Sequence, residues 1–142
     1  MKNQGHQYAH FNLYRNHTHA TGKCGGCWAF AATETVEAAW ALSGNQPVGN
    51  GQLSVEQILG CDTTNGVYGC DGGYIFEALL WVWSSSNGLV SEATDPFTCV
   101  NNCPNPPTCP GLGGIRAAYI NSTCSCSYAG NEASMMSALF KV

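Results

Sequence analysis

The chain has 142 residues, a formal net charge of −4 and only 10% charged residues, where ordinary globular proteins carry about 25%. That length suits one compact domain with a real core, while five Lys and Arg in all cannot build the basic stripe that nucleic acid or an anionic membrane would require. The sequence holds no apolar run near the roughly 18 residues of a membrane span.

Nine cysteines in so short a chain point to disulfides and an oxidising compartment, secretory or lysosomal/vacuolar, because cytosolic thiols are kept reduced. Nine is odd, so four bridges would leave one thiol free. Acceptor triplets for N-glycosylation at Asn16 (NHT) and Asn121 (NST) fit the same compartment. The chain opens on MKNQG with no charged start followed by an apolar stretch, so export information is expected to lie outside these residues.

In chain order, residues 1–23 lack periodicity and read as loop. The stretch GKCGGCWAF at 22–30 places two cysteines three apart ahead of an apolar run. A helix is predicted over 27–43, apolar on nearly every face and therefore buried, with Gly44 and Asn45 as its stop. Ser54 and Gln57 form a capping-box pattern before a short helix carrying Val55, Ile58 and Leu59. Residues 61–73 are a glycine-rich loop between cysteines; 74–85 form a very apolar third helix ended by Asn87-Gly88. Residues 91–114, with five of the six prolines, are a crosslinked loop. A strand is expected over 115–120 and an amphipathic helix over 131–141.

The chemistry centres on Cys27. Unpaired N–H groups and the positive end of the macrodipole stabilise negative charge at a helix start, so a thiolate there is well placed as a nucleophile. Gly25 and Gly26 allow a tight turn beneath it. The residues leave other readings open: a structural half-cystine, a CxxC redox pair, or half of a zinc site. A redox pair of the thioredoxin type belongs near a βαβ pattern, and none precedes Cys24. Zinc would need a second CxxC or paired histidines. The four histidines, His6, His10, His17 and His19, cluster in the N-terminal segment and read as a polar insert. No metal and no cofactor is expected.

CGGCW at 24–28 resembles the active-site signature of papain-family cysteine peptidases, with Gly26 where that signature has Ser or Ala. LSVEQILGCD at 53–62 and GCDGGY at 69–74 are similar to two further segments of the family, in the same order. The resemblance implies an α+β, papain-like fold, here mainly the helical left domain, with a long central helix starting at Cys27 and little β structure. It divides the chain into an N-terminal loop with an insertion (1–23), the left domain (24–114) and the start of the right domain (115–142).

The resemblance further implies that Cys27 attacks a peptide carbonyl to give a thioester acyl-enzyme, and that Gln4, from MKNQG, helps form the oxyanion hole. In this chain 19 residues stand between Gln4 and Cys24, where the family has a couple. Gly72 and Gly73 would accept the substrate backbone as an added strand. Tyr68, Tyr74 and Ile75 would line the pockets before the scissile bond, favouring an apolar or aromatic side chain there, unless they are ordinary core residues. Cys24 would be bridged to Cys70, and Cys61 to Cys103, with Cys99 or Cys109 as substitutes. The family's His and Asn fall about 130–150 residues beyond the nucleophile, past Val142, so the expected partners are a polypeptide substrate and the remainder of the right domain. The function implied is a papain-like cysteine endopeptidase represented by an incomplete chain. Two alternatives are an inactive crosslinked fragment that binds peptide or a partner protein, and a thiol–disulfide oxidoreductase using Cys24 and Cys27.

Overall fold

The structure, a computed structural model, describes residues 24–45, 52–64, 66–98, 107–109 and 116–121. The predicted helix over 131–141 lies outside them. Three helices organise this region: α1 (Cys27–Leu42), α2 (Val55–Cys61) and α3 (Ile75–Ser84), with a 3-10 turn at Gly69–Asp71. Helix α1 packs on both α2 and α3. The described residues are mainly helical, with isolated β-bridges only, Leu53 with Ser91, Val67 with Gly73 and Leu89 with Ala118.

Helix α1 starts and stops where its sequence predicts, to within a residue. Gly44, at φ +82°, turns the chain out of it, its N–H donating to the Ala41 carbonyl (3.1 Å). The expectation of burial on nearly every face is corrected. Trp28, Ala29, Ala32, Thr33 and Val36 are buried, while Glu34, Thr35, Ala39 and Leu42 are exposed. Among the described residues α2 and α3 are both shorter than this helix of 16 residues and cover one side of it, leaving the side with Glu34 and Thr35 to solvent.

Helix α2 is held in place by polar groups more than by its length. The Ser54 hydroxyl caps it, accepting from the Gln57 N–H (3.0 Å). The reciprocal half of the predicted capping box does not form. The Ser54 N–H donates instead to the Val90 carbonyl (3.0 Å), and the buried Gln57 side chain crosses to the segment that follows α3: its Oε1 accepts from the Val90 N–H (2.8 Å) and its Nε2 donates to the Gly88 carbonyl (3.3 Å). One side chain thus serves two backbone groups in a buried turn; the Gly88 carbonyl also accepts from the Ser86 hydroxyl (2.8 Å), while leaving the Val90 N–H unpaired would cost about 1–3 kcal/mol.

The strand expected over 115–120 is cut short for a separate reason. Leu89 pairs with Ala118, donating to its carbonyl (2.8 Å) and accepting from the Ala117 N–H (2.7 Å). The next pairs on this edge would need Ser91, whose carbonyl already accepts from the Thr94 and Asp95 N–H groups (2.9 and 3.2 Å), and Asn87, which sits at φ +55°, so the ladder stops. Among the described residues the expected strand is reduced to one bridge. Helix α3 ends at Ser84, and the predicted stop, Asn87-Gly88, follows three residues on with both residues at positive φ; Gly88 sits against the Ala118 carbonyl with no room for a Cβ.

Residues 91–98 strap across the start of α2 on carboxylates. Glu56 accepts from the Thr98 hydroxyl (3.0 Å), Glu92 from the Phe97 N–H (2.7 Å), and Asp95 from the Ser54 hydroxyl through its carbonyl (2.6 Å) and its side chain (3.2 Å). Phe97 is buried, with its ring edge-on to Phe30 of α1 at 5.1 Å. Burial pushes the Glu56, Glu92 and Asp95 carboxyls up, opposed by these bonds. It raises Asp62 likewise, against its bonds from Thr64.

Candidate active site

Cys27 is the first residue of α1, exposed and outside any disulfide. Gly26 occupies the N-cap without a capping side chain, and no acidic residue stands in the first turn. A helix opening of this kind leaves N–H groups and the positive end of the dipole unopposed. The residues that approach it are set by three ties to the Gly69–Gly73 region.

The first tie is covalent: Cys24 is joined to Cys70, with Cα atoms 4.5 Å apart. In the second, the Gly25 N–H donates to the Cys70 carbonyl (2.7 Å). A Cβ at Gly25 would come 2.6 Å from that same oxygen, so only glycine lets the two backbones meet. The third runs through Trp28, the residue after the thiol. Its Nε1 donates to the Gly69 carbonyl (3.0 Å), and its ring lies where a Cβ on Gly73 would be, 2.6 Å away. Cys27 is therefore carried on a turn fastened from both sides to the glycine loop.

The two loop glycines differ in use. Gly73 is needed from within, because a Cβ there would meet the Trp28 ring. Gly72 adopts φ +119°, and a Cβ there would meet nothing within 4 Å, so its outer side is open. The loop is closed on itself by the Tyr68 N–H donating to the Gly72 carbonyl (2.8 Å) and by the Val67–Gly73 bridge. Tyr68 and Tyr74 are 62% and 67% exposed and Ile75 is 44% exposed; none is a core residue.

The role of Trp28 was not read from the sequence, where it counted only as an apolar helix residue. An aromatic with a polar edge directly after the thiol was the available signal. Gln4 and Cys103 lie outside the described residues, as do the four histidines. Of the partners named for Cys61, the first, Cys103, is corrected to one of its two substitutes: Cys61 is bonded to Cys109, at a Cα separation of 4.7 Å. The reason is local. The Pro107 and Thr108 carbonyls press against Gly60, each 3.0 Å from where its Cβ would be, and this contact delivers Cys109 to the end of α2. Among the described residues no cluster of His, Cys, Asp or Glu could hold a metal ion, and no helix is long and apolar enough to cross a membrane.

The fold and this thiol-bearing helix start define a class, and comparison with known proteins names it. The profile of papain family cysteine proteases matches residues 11–142. The chain belongs to the papain family of cysteine proteases. It is similar to cysteine proteinase A of Leishmania mexicana, 41% identical over 78 residues, which cover 54% of this chain and 21% of that protein. Cathepsin B of Dictyostelium discoideum is 40% identical over 105 residues, covering 74% of this chain and 29% of that protein. Among solved structures, the bromelain protease from Ananas comosus in complex with the E64 inhibitor matches with a TM-score of 0.56 and 35% identity, over 71% of this chain and 41% of that one. The chain thus spans well under half the length of the relatives it matches.

Proposed function

We propose that the protein is a cysteine endopeptidase in which Cys27 is the nucleophile. The observation that carries this reading is the unbridged thiol at the start of α1, fastened beside the glycine loop through Cys24, Gly25 and Trp28. The sulfur attacks the carbonyl carbon of a peptide bond, the carbonyl electrons move to oxygen, and the resulting oxyanion collapses to a thioester as the amine leaves with a proton. Water then hydrolyses the thioester and restores the thiol. The Cys27 N–H and the Gln4 side chain donate to the oxyanion.

The described residues contain no histidine, so the base that takes the thiol proton and the group that orients it come from elsewhere in the protein. The substrate backbone lies along Gly72, whose outer side is open, and on Gly25, Gly26 and Gly73. Tyr68, Tyr74 and Ile75 present exposed apolar surface to a side chain before the scissile bond. Residues 24–114 make up the helical domain of this enzyme and 115–142 begin its β-rich partner. Crosslinks and family membership support a secretory or lysosomal setting.

Thiol–disulfide exchange at Cys24 and Cys27 required those two to be bridged, and Cys24 is bonded to Cys70 instead. The test is selective alkylation of the protein carrying this chain, with peptide hydrolysis measured in parallel. Iodoacetamide should modify Cys27 first and abolish cleavage of peptides with an aromatic residue two places before the cut. Modification of Cys27 without any loss of cleavage overturns the nucleophile, and a protein that binds such peptides without cleaving them is the inactive crosslinked binder.

A further inference from the structure

Asn121 begins an Asn-Ser-Thr triplet whose middle residue is not proline, the acceptor pattern for N-linked sugar. Triplets of this kind recur by chance, and an attached glycan could not be accommodated where the folded chain buries the asparagine or locks it in an element. Asn121 is neither: it is exposed and stands on a bend outside any helix or bridge.

Its position also suits a bulky group. Two residues earlier, Tyr119 is 53% exposed and stacks edge-on against Trp40, ring centroids 5.1 Å apart. Trp40 lies in the last turn of α1, thirteen residues from Cys27, or about 20 Å along the axis at 1.5 Å per residue. A group on Asn121 would therefore stand at the opposite end of the helix from the thiol. That end carries exposed apolar surface, with Leu42 60% exposed, of a kind that promotes association when left bare.

We propose that Asn121 is a site of N-linked glycosylation, and that the glycan covers the apolar end of α1 while leaving the thiol end open. The side-chain amide nitrogen forms a bond to the anomeric carbon of a lipid pyrophosphate-linked oligosaccharide. The bond from that carbon to the pyrophosphate oxygen breaks, and the amide loses one proton as the lipid pyrophosphate leaves. The modification rests on the secretory setting proposed above.

The experiment routes the protein carrying this chain into the secretory pathway of a eukaryotic cell with a cleavable signal, then treats the secreted product with an N-glycosidase and maps its peptides. The expected result is a loss of mass with Asn121 converted to Asp. Asn121→Gln and Thr123→Ala should both abolish it, Thr123→Ser should retain it, and alkylation of Cys27 should be unchanged in all three. The unglycosylated variants should scatter more light on concentration. A secreted product in which Cys24 is bonded to Cys70 and Asn121 is unmodified overturns the proposal, including one that carries sugar at Asn16 alone. Since the signal imposes the route, failure of the secretory reading shows separately, as activity of the native protein in a reducing compartment.

Discussion

A methyl group added at Gly25 would sit 2.6 Å from the Cys70 carbonyl oxygen, while one added at Gly72 would meet nothing within 4 Å. The two substitutions therefore fail for different reasons. Gly25→Ala forces the turn below Cys27 away from its partner, costing about 1–3 kcal/mol as overpacking does, and should also slow alkylation of Cys27 because the thiol moves with the turn. Gly72→Ala keeps the packing but holds alanine at φ +119°, a strain of about 1–3 kcal/mol. Thermal denaturation with alkylation rates on the same samples separates the two. Cys27→Ser, at an exposed position, should change stability by less than about 0.5 kcal/mol while abolishing cleavage. At this scale the thiol was legible, because an odd cysteine count and a helix start point to the same atom. The partner of Cys61 was not. Loop-closure cost varies only with the logarithm of separation, so Cys99, Cys103 and Cys109 are nearly equivalent by spacing, and the choice is made by carbonyls packing on Gly60.

At the scale of elements, Gln57 links a helix to a turn about thirty residues away along the chain. Gln57→Ala would leave the buried Val90 N–H without its acceptor, a loss of about 1–3 kcal/mol, and amide exchange at Val90 should accelerate more than at residues of α3. Ser54→Ala removes the cap of α2 for about 1 kcal/mol and also frees Asp95 from its hydroxyl partner. Existence and order of α1, α2 and α3 were legible from periodicity and from the Gly44 and Asn87-Gly88 stops. Which face of α1 is buried was not, since alanines and aromatics all round give periodicity nothing to mark. The short reach of the pairing at Ala118 was equally hidden. It depends on the turn at 91–95 taking the Ser91 carbonyl and on Asn87 leaving the extended region.

Across the whole molecule, Glu56, Asp62, Glu92 and Asp95 share one response to acid. Burial raises each carboxyl in the folded state, so the folded protein holds these protons more tightly than the unfolded chain. Their contribution to stability is then fully present below the unfolded values, about pH 4, and is lost as pH rises through the folded ones. Melting temperature should fall from pH 4 upward over that window, with a shallower fall in Glu92→Gln. A rise over the same window would contradict the assignment. Reduction acts on the molecule as a whole too: each crosslink closes a span of more than forty residues, worth about 4 kcal/mol by chain entropy, so the Cys61→Ser, Cys109→Ser pair should unfold well below the parent temperature.

The backbone at 89 and 90 has a bearing on crowded solutions. Leu89 spends its amide and carbonyl on residues 117 and 118, and Val90 spends both of its own on Ser54 and Gln57. A neighbouring chain therefore finds no vacant row onto which it could zip as a further strand. Fibril growth cannot be seeded from this segment while it stays folded.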